Sequence, residues 1–195
     1  MENVKKQVWK PGTMLNPVPV IMASCRGGDG TENIVTAAWT GVACSEPPMV
    51  YISLRPERFS YGLIRESGEY VINLVTEELT AAADYCGVKS GRDVDKWAKT
   101  GLTKGKAATL SAPLINESPV NIECRLRQII PLGSHDMFLA EVTAVDADER
   151  YMDENGRFDL DSCHLAAYSH GEYLSLGRIL GKFGYSVKKG AEIFK

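Results

Sequence analysis

Residues 33–41 read NIVTAAWTG. The stretch mixes strand formers (Ile34, Val35, Thr36, Trp39, Thr40) with Ala37, Ala38 and Gly41, and holds no charge, histidine or cysteine. A plain core strand would be bulkier, and a surface strand would carry lysine or glutamate. A strand that turns small and hydroxylated around one large aromatic lets something flat lie close to its backbone. That something is another strand or a ligand, and the flanking sequence has to decide.

Upstream, PVPVIMASC (17–25) is strand-like and RGGDGTEN (26–33) supplies turn residues, which predicts a hairpin whose return strand is 34–41. The glycines do not spell GxGxxG and no helix follows them, so they argue weakly for a nucleotide loop. SEPP (45–48) breaks the chain before a further strand, MVYISL (49–54). RPERFSYGLIRESG (55–68) opens with Pro56 near a helix start and closes on Gly68, with Phe59, Leu63 and Ile64 on one face. EYVINLV (69–75) reads as a strand, EELTAAADYCG (77–87) as a helix ending at Gly87, GRDVDKWAKTG (91–101) as a short helix or turn, and SAPLIN (111–116) as a short extended piece.

PVNIECRLRQIIPL (119–132) alternates partly: Val120, Ile122, Cys124, Leu126 and Gln128 share one parity and Asn121, Glu123, Arg125 and Arg127 the other, which predicts a half-buried strand. GSHDMFLAEVTAVDADER (133–150) starts at a turn and continues as a long strand. Short strands with few helices and no regular β-α alternation predict an antiparallel barrel rather than a doubly wound sheet. No boundary splits the chain, so residues 1–195 are expected to form one domain.

The totals bound the function. A chain of 195 residues buries roughly 70% of its unfolded surface without disulfides or metals. A net charge of −3 gives no global field for nucleic acid or an anionic membrane, so an anionic ligand must be held locally. Cys25, Cys44, Cys86, Cys124 and Cys163 are odd in number and isolated, which argues against a disulfide framework, a zinc ribbon or an iron–sulfur site. Cys86 and Cys163 are the two to watch for approach to another thiol. His164, His170 and Cys163 do not make a motivated metal site, and no metal is expected. The start lacks a leader's apolar run and no stretch is long enough to span a membrane, so a cytoplasmic location is the expectation.

No nucleophile elbow, H-E-x-x-H or kinase signature occurs. The segment that carries chemistry is SLRPERFSY (53–61). Arg55 and Arg58 stand with Ser60 and Tyr61 where a strand meets a helix, a set that would bind phosphate through arginine forks, hydroxyls and free helix amides. The plainer alternative is a solvated helix start with Glu57 pairing one arginine. Asp95-Lys96 adds either a further cation or a surface charge pair.

NIVTAAWTG, Pro47-Pro48, SLRPERFSYGLI, YVINLV, DVDKW and GSHDMFLAEV occur in this order. Together they resemble the flavin reductase-like family, and within it the flavoredoxin and anaerobe ferric-reductase branch, over about residues 17–178. The resemblance implies a mainly β fold: an antiparallel, Greek-key, FMN-binding split β-barrel with a few flanking helices. It implies that the strand from Asn33 through Thr36, Ala37, Ala38, Trp39 and Thr40 lies against the flavin through backbone and hydroxyls. It implies that Ser53, Leu54, Arg55, Ser60 and Tyr61 hold the phosphate and ribityl chain, with Lys96 at the phosphate end. His135 corresponds to a histidine near the nicotinamide or ring face, its alternative being a satisfied turn histidine.

The implied cofactor is FMN. NAD(P)H or a redox protein is the implied electron donor, and free flavin, a ferric complex or a redox protein the acceptor. The resemblance also implies a homodimer, to which the glycine- and aromatic-rich tail 168–190 contributes, or which that tail accompanies by lying over the flavin. The competing reading is a non-enzymatic electron carrier or a flavin-binding module.

Overall fold

Between Ala37 and Thr40 the chain leaves one strand and enters the next, and this two-residue step sets the architecture. The computed structural model describes residues 4–187. In chain order the strands and helices are β1 (Val18–Pro19), β2 (Ile21–Arg26), β3 (Glu32–Ala37), β4 (Thr40–Ser45), β5 (Pro48–Leu54), α1 (Phe59–Ser67), β6 (Glu69–Leu74), α2 (Thr80–Val88), α3 (Lys96–Thr100), β7 (Lys104–Gly105), β8 (Leu114–Ile115), β9 (Val120–Pro131), β10 (Asp136–Ala147), β11 (Ala166–Ser169) and β12 (Glu172–Ser175). The expected single strand over 34–41 is two strands. Ala38 and Trp39 lie outside both, and the break lets the backbone change direction.

Seven strands form one antiparallel sheet in the order β3-β2-β6-β9-β10-β5-β4. Its two end strands, β3 and β4, are consecutive in the chain. The three steps from Ala37 to Thr40 span at most about 11 Å, so the sheet must curl until its end strands approach each other. At that seam the Ser53 amide donates to the Trp39 carbonyl at 2.7 Å. The result is the expected mainly β barrel, split where β3 gives way to β4. The predicted hairpin is β2–β3, with Arg26 opposite Glu32.

Inside the barrel, Ile21, Ala23 and Cys25 of β2 alternate toward Ile52, Leu54, Ile64, Tyr70 and Phe138. The opposite face of β2 is also covered: Met22 packs with Ile34, Leu79, Ala83, Cys86 and Trp97 beneath α2 and α3. A two-residue β1 pairs with β11, and β11 with β12, to flank this second core. α1 buries Ser60, Leu63 and Ile64 and ends as expected at Gly68, whose left-handed backbone (φ 72°) places its amide on the Ile64 carbonyl. α2 passes through Gly87 and ends at Val88. A Cβ at Gly87 would sit 3.3 Å from Thr36 Cβ, so this glycine allows the helix to approach β3 rather than stopping it.

The half-buried reading of β9 needs correction. Asn121 and Glu123, on the polar parity, are buried, with Glu123 at 0% exposure. The segment after α3 covers that face and satisfies its polar groups. Glu123 accepts from the amides of Ala108 (2.5 Å) and Thr109 (2.7 Å) and from the Thr109 hydroxyl. Asn121 Nδ2 donates to Asn73 Oδ1 at 2.7 Å and to the Ile115 carbonyl at 3.0 Å. Only beyond Cys124 does the strand's polar parity reach solvent, at Arg125 and Arg127. Of the tail 168–190, residues 168–187 are described, and Ile179, Leu180 and Phe183 stand exposed; residues 188–190 lie outside the described part. Among the described residues no helix is long and apolar enough to cross a membrane.

Candidate functional site

Two clefts meet at the end of β3. The larger, about 440 Å³, lies between β3, the turn into α1 and the loop after α2. Its walls carry Arg55, Arg58, Lys89, Arg92 and Lys96 against the single carboxylate of Glu57, with the hydroxyls of Ser60 and Ser90 among them. No side chain caps the N-terminus of α1, so its first amides add to the positive field. This donor set suits a dianion such as a phosphate monoester.

The second cleft is narrow, about 110 Å³, and is lined by Thr36, Ala37, Ala38, Trp39, Ser53 and His135 among others. The two run together through Val35, Arg55 and Arg58, which line both. A ligand with an anionic end and a flat, mostly apolar end fits that sequence of walls.

Loop geometry follows from local residues. Pro56 sits in the turn before α1, and Arg58 N donates to the Arg55 carbonyl at 3.0 Å. Arg92 donates to the Glu57 carbonyl at 2.9 Å, and its guanidinium lies 5.3 Å from the Phe59 ring centroid. A Cβ at Gly91 would collide with Asn33 and Phe59, so only glycine lets this loop close over the chamber.

The residues picked from sequence are not equally placed. Arg55 stands at the junction of the clefts, half exposed, with Glu57 at 3.5 Å. The plainer reading of that segment is therefore present alongside the anion chamber. Ser60 is fully buried at the chamber wall and accepts from Asn33 Nδ2 at 2.8 Å, with the Cys25 thiol also within hydrogen-bonding reach of its hydroxyl. Ala37, Ala38, Trp39 and Ser53 line the narrow cleft, and Leu54 borders it while packing in the main core.

Thr36 and Thr40 were expected to turn their hydroxyls to the ligand. Instead the Thr36 hydroxyl donates to the Ala83 carbonyl and that of Thr40 to the Tyr51 carbonyl at 2.7 Å. Tyr61 points away altogether: its hydroxyl donates to Asp136 at 2.6 Å and its ring meets Phe138 edge-on at 5.0 Å. Lys96 is buried, with Nζ 2.6 Å from both the Ile34 and Cys86 carbonyls. Two of its three donors therefore tie β3 to α2, while its charge stays at the chamber wall.

Burial pushes the Lys96 ammonium below its ordinary value, with Arg58 adding repulsion. Burial and then the positive charge of Arg55 hold His135 below the usual histidine value; its Nδ1 lies 3.0 Å from the Ser134 hydroxyl. Burial pushes the thiols of Cys25 and Cys86 up to about 11 and that of Cys124 to about 12. These cysteines are protonated hydrophobes. Cys163 is likewise buried and Cys44 is exposed; all five are free.

Lys89, Ser90 and Arg92 were missed. Their signal was present in VKSGR (88–92), a basic pair around a hydroxyl and a glycine, but it took the fold to bring that loop opposite Arg55 and Arg58.

A curled antiparallel barrel with an anion chamber opening into a narrow cleft of small residues defines the class: a split barrel of the flavin reductase type. The chain belongs to the flavin reductase-like family, as the profile described as "Flavin reductase like domain" matches residues 12–177. Flavoredoxin of Desulfovibrio vulgaris (Miyazaki F) superposes with a TM-score of 0.87 at 31% identity, covering 94% of this chain and 100% of that one. An FMN-binding protein from Thermus thermophilus, solved with bound 1-cyclohex-2-enone, superposes with a TM-score of 0.72 at 25% identity, covering 90% and 96%. An uncharacterised protein of Aeropyrum pernix is 34% identical over 129 residues, 66% of this chain but 48% of that one, so the chain spans about half the length of that relative.

Proposed function

We propose that the chain binds FMN in the joined clefts and works as an oxidoreductase, passing electrons from NAD(P)H or a redox protein to free flavin, a ferric complex or a partner protein. The observation that carries this reading is the continuity of a chamber holding five cations with a narrow cleft walled by Ala37 and Ala38. The description of a structural neighbour as an FMN-binding protein supports it.

Bound FMN would supply the electron chemistry, which is why the chain needs no nucleophile of its own. Arg55, Arg58, Arg92 and the Ser60 hydroxyl would hold the phosphate, with Lys96 adding charge from below. Ala37 and Ala38 would leave room for the ring, and Trp39 would close its edge. His135, kept neutral, would stand at the mouth of the ring-side cleft as a hydrogen-bonding group rather than a second cation. The apolar arms that expose Val8, Trp9, Leu15, Ile179, Leu180 and Phe183 suit burial against a second copy of the chain, so the working form is proposed to be a homodimer.

The test is anaerobic mixing of FMN-loaded protein with NADH and NADPH, followed at the flavin absorbance band. Bleaching within seconds supports the enzyme. A flavin reduced only by a redox protein turns the reading to an electron carrier. A flavin that cycles with no donor, or a protein that takes up none, contradicts it.

A further inference from the structure

Residues 88–92, which follow α2, form the chamber wall that faces the start of α1. The main-chain bonds of this loop are all local. The Lys89 amide donates to the Tyr85 carbonyl at 3.0 Å, and the Asp93 and Val94 amides donate to the Ser90 carbonyl at 3.2 Å. Among the described residues no main-chain hydrogen bond joins the loop to β3 or α1. Side-chain cations make the ties instead. Arg58 donates to the Gly87 carbonyl at 2.8 Å, Arg92 to the Glu57 carbonyl at 2.9 Å, and Lys96 Nζ lies 2.6 Å from the Cys86 carbonyl. Val88, the only apolar side chain of the loop, is exposed, so hydrophobic burial holds the loop in place very little.

We propose that loop 88–92 is an anion-operated lid: a dianion in the chamber draws Lys89, Ser90 and Arg92 inward over itself, and an empty chamber lets the loop swing out. The lid rests on the reading of the chamber as the FMN phosphate site and adds to it a means of retention. Five cations face this space with the single carboxylate of Glu57, and two of them, Lys89 and Arg92, are carried by the loop. Like charges so placed repel one another unless a counter-ion lies between them. The repulsion is already felt at Lys96, where burial first and then the Arg58 charge hold the ammonium below its ordinary value. A bound dianion has higher affinity for the closed arrangement than for the open one, so it shifts the loop toward closure. Arg58 and Lys96 then serve the ligand and the last carbonyls of α2 together, which ties the helix end to the occupied site. Gly91 lets the closed loop lie against Asn33 and Phe59, where no Cβ fits. FMN, which brings the dianion, is enclosed at its phosphate end; riboflavin, which brings none, is not.

Hydrogen exchange over residues 88–94 and tryptic cleavage after Lys89 and Arg92 are the readouts. Both are followed on the full-length protein in three states: flavin-free, flavin-free with inorganic phosphate, and FMN-loaded. Calorimetry on the same samples reports whether phosphate and FMN bind. Each ligand is expected to slow both readouts at least about tenfold, and sodium chloride of equal ionic strength less than about twofold. Lys89→Glu, at an exposed position, replaces a repelling charge with an attracting one. Without any ligand its exchange over 88–94 is expected to be at least about threefold slower than that of the flavin-free wild type. Exchange that neither ligand slows, although calorimetry shows them bound, overturns the lid and leaves the chamber reading standing. If neither ligand binds, the chamber reading fails and the lid with it. Chloride that matches phosphate overturns the lid, because general screening then explains the closure. So does a Lys89→Glu protein that exchanges as fast as the flavin-free wild type, because the loop then does not answer to the charge balance.

Discussion

The guanidinium of Arg58 donates to the Gly87 carbonyl at 2.8 Å. Arg92, across the chamber, returns a bond to the Glu57 carbonyl at 2.9 Å. Two loops far apart in sequence are thus laced by the same side chains that make the chamber positive. Arg55 differs, since its side chain is half exposed and meets only Glu57 at 3.5 Å. It is free to serve a ligand without holding the fold.

Arg55→Ala is therefore expected to weaken FMN and spare stability. A lost charge-assisted bond costs roughly 1.5–3 kcal/mol, or about 10- to 150-fold in affinity. The surface pair with Glu57 is worth little, so the thermal midpoint should hardly move. Titration with FMN and a melting curve on the same variant check both halves. Unchanged FMN affinity would move the phosphate contact to Arg58 and Arg92.

Lys96→Met should show the opposite balance. Its loss leaves the Ile34 and Cys86 carbonyls without the donor that now lies 2.6 Å from each. Unpaired buried acceptors cost about 1–3 kcal/mol, which for a chain of this size lowers the midpoint by roughly 2–12 °C. Calorimetry reads this directly. A variant that melts with the wild type yet loses FMN would show that Lys96 acts on the ligand alone.

His135 should titrate below 6.5 in the flavin-free protein, because burial and the charge of Arg55 both disfavour imidazolium. Between its folded value and 6.5 the unfolded chain binds more protons than the folded one, so this contribution to stability is present above 6.5 and is lost as pH falls through the folded value. A phosphate bound beside Arg55 offsets the repulsion and should raise the histidine's pKa. Proton NMR of the imidazole with and without inorganic phosphate measures the shift; a pKa at or above 6.5 without phosphate contradicts the geometry.

Glu123→Gln should loosen the segment after α3 without touching the clefts. Burial opposes the Glu123 charge, but the Thr109 hydroxyl and the amides of Ala108 and Thr109 outweigh it and hold the carboxyl below its ordinary 4.5. The stability it contributes is present above 4.5 and is lost as pH falls through the lower folded value. The protection factors of the Ala108 and Thr109 amides, exchange rates divided into the intrinsic rate at the same pH, should fall in the variant and, in the wild type, on acidification below 4.5. Exchange indifferent to both would mean the carboxylate does not anchor this segment.

These residues also show what sequence alone conveyed. The hairpin, the strand at 49–54 and the helix closing on Gly68 were legible because turn residues, Pro56 and apolar spacing are local signals. The anion chamber was half legible: Arg55, Arg58 and Ser60 lie in one segment, but Lys89, Ser90 and Arg92 join them only through the fold. The parity of β9 showed which face is polar, not that residues 108–115 would cover it. The side-chain partners of Thr36, Tyr61 and Lys96 were not legible, for one reason. Their partners Ala83, Asp136 and Ile34 lie 47, 75 and 62 residues away, beyond the reach of any spacing rule.

Titration of the flavin-free protein with FMN and with riboflavin tests the central claim most directly. The two ligands share the ring and differ in the phosphate, so their affinity ratio reports whether the cation chamber holds that group. Two or more charge-assisted contacts predict FMN tighter than riboflavin by at least about a hundredfold. Equal affinities, or no binding of either, would contradict the account.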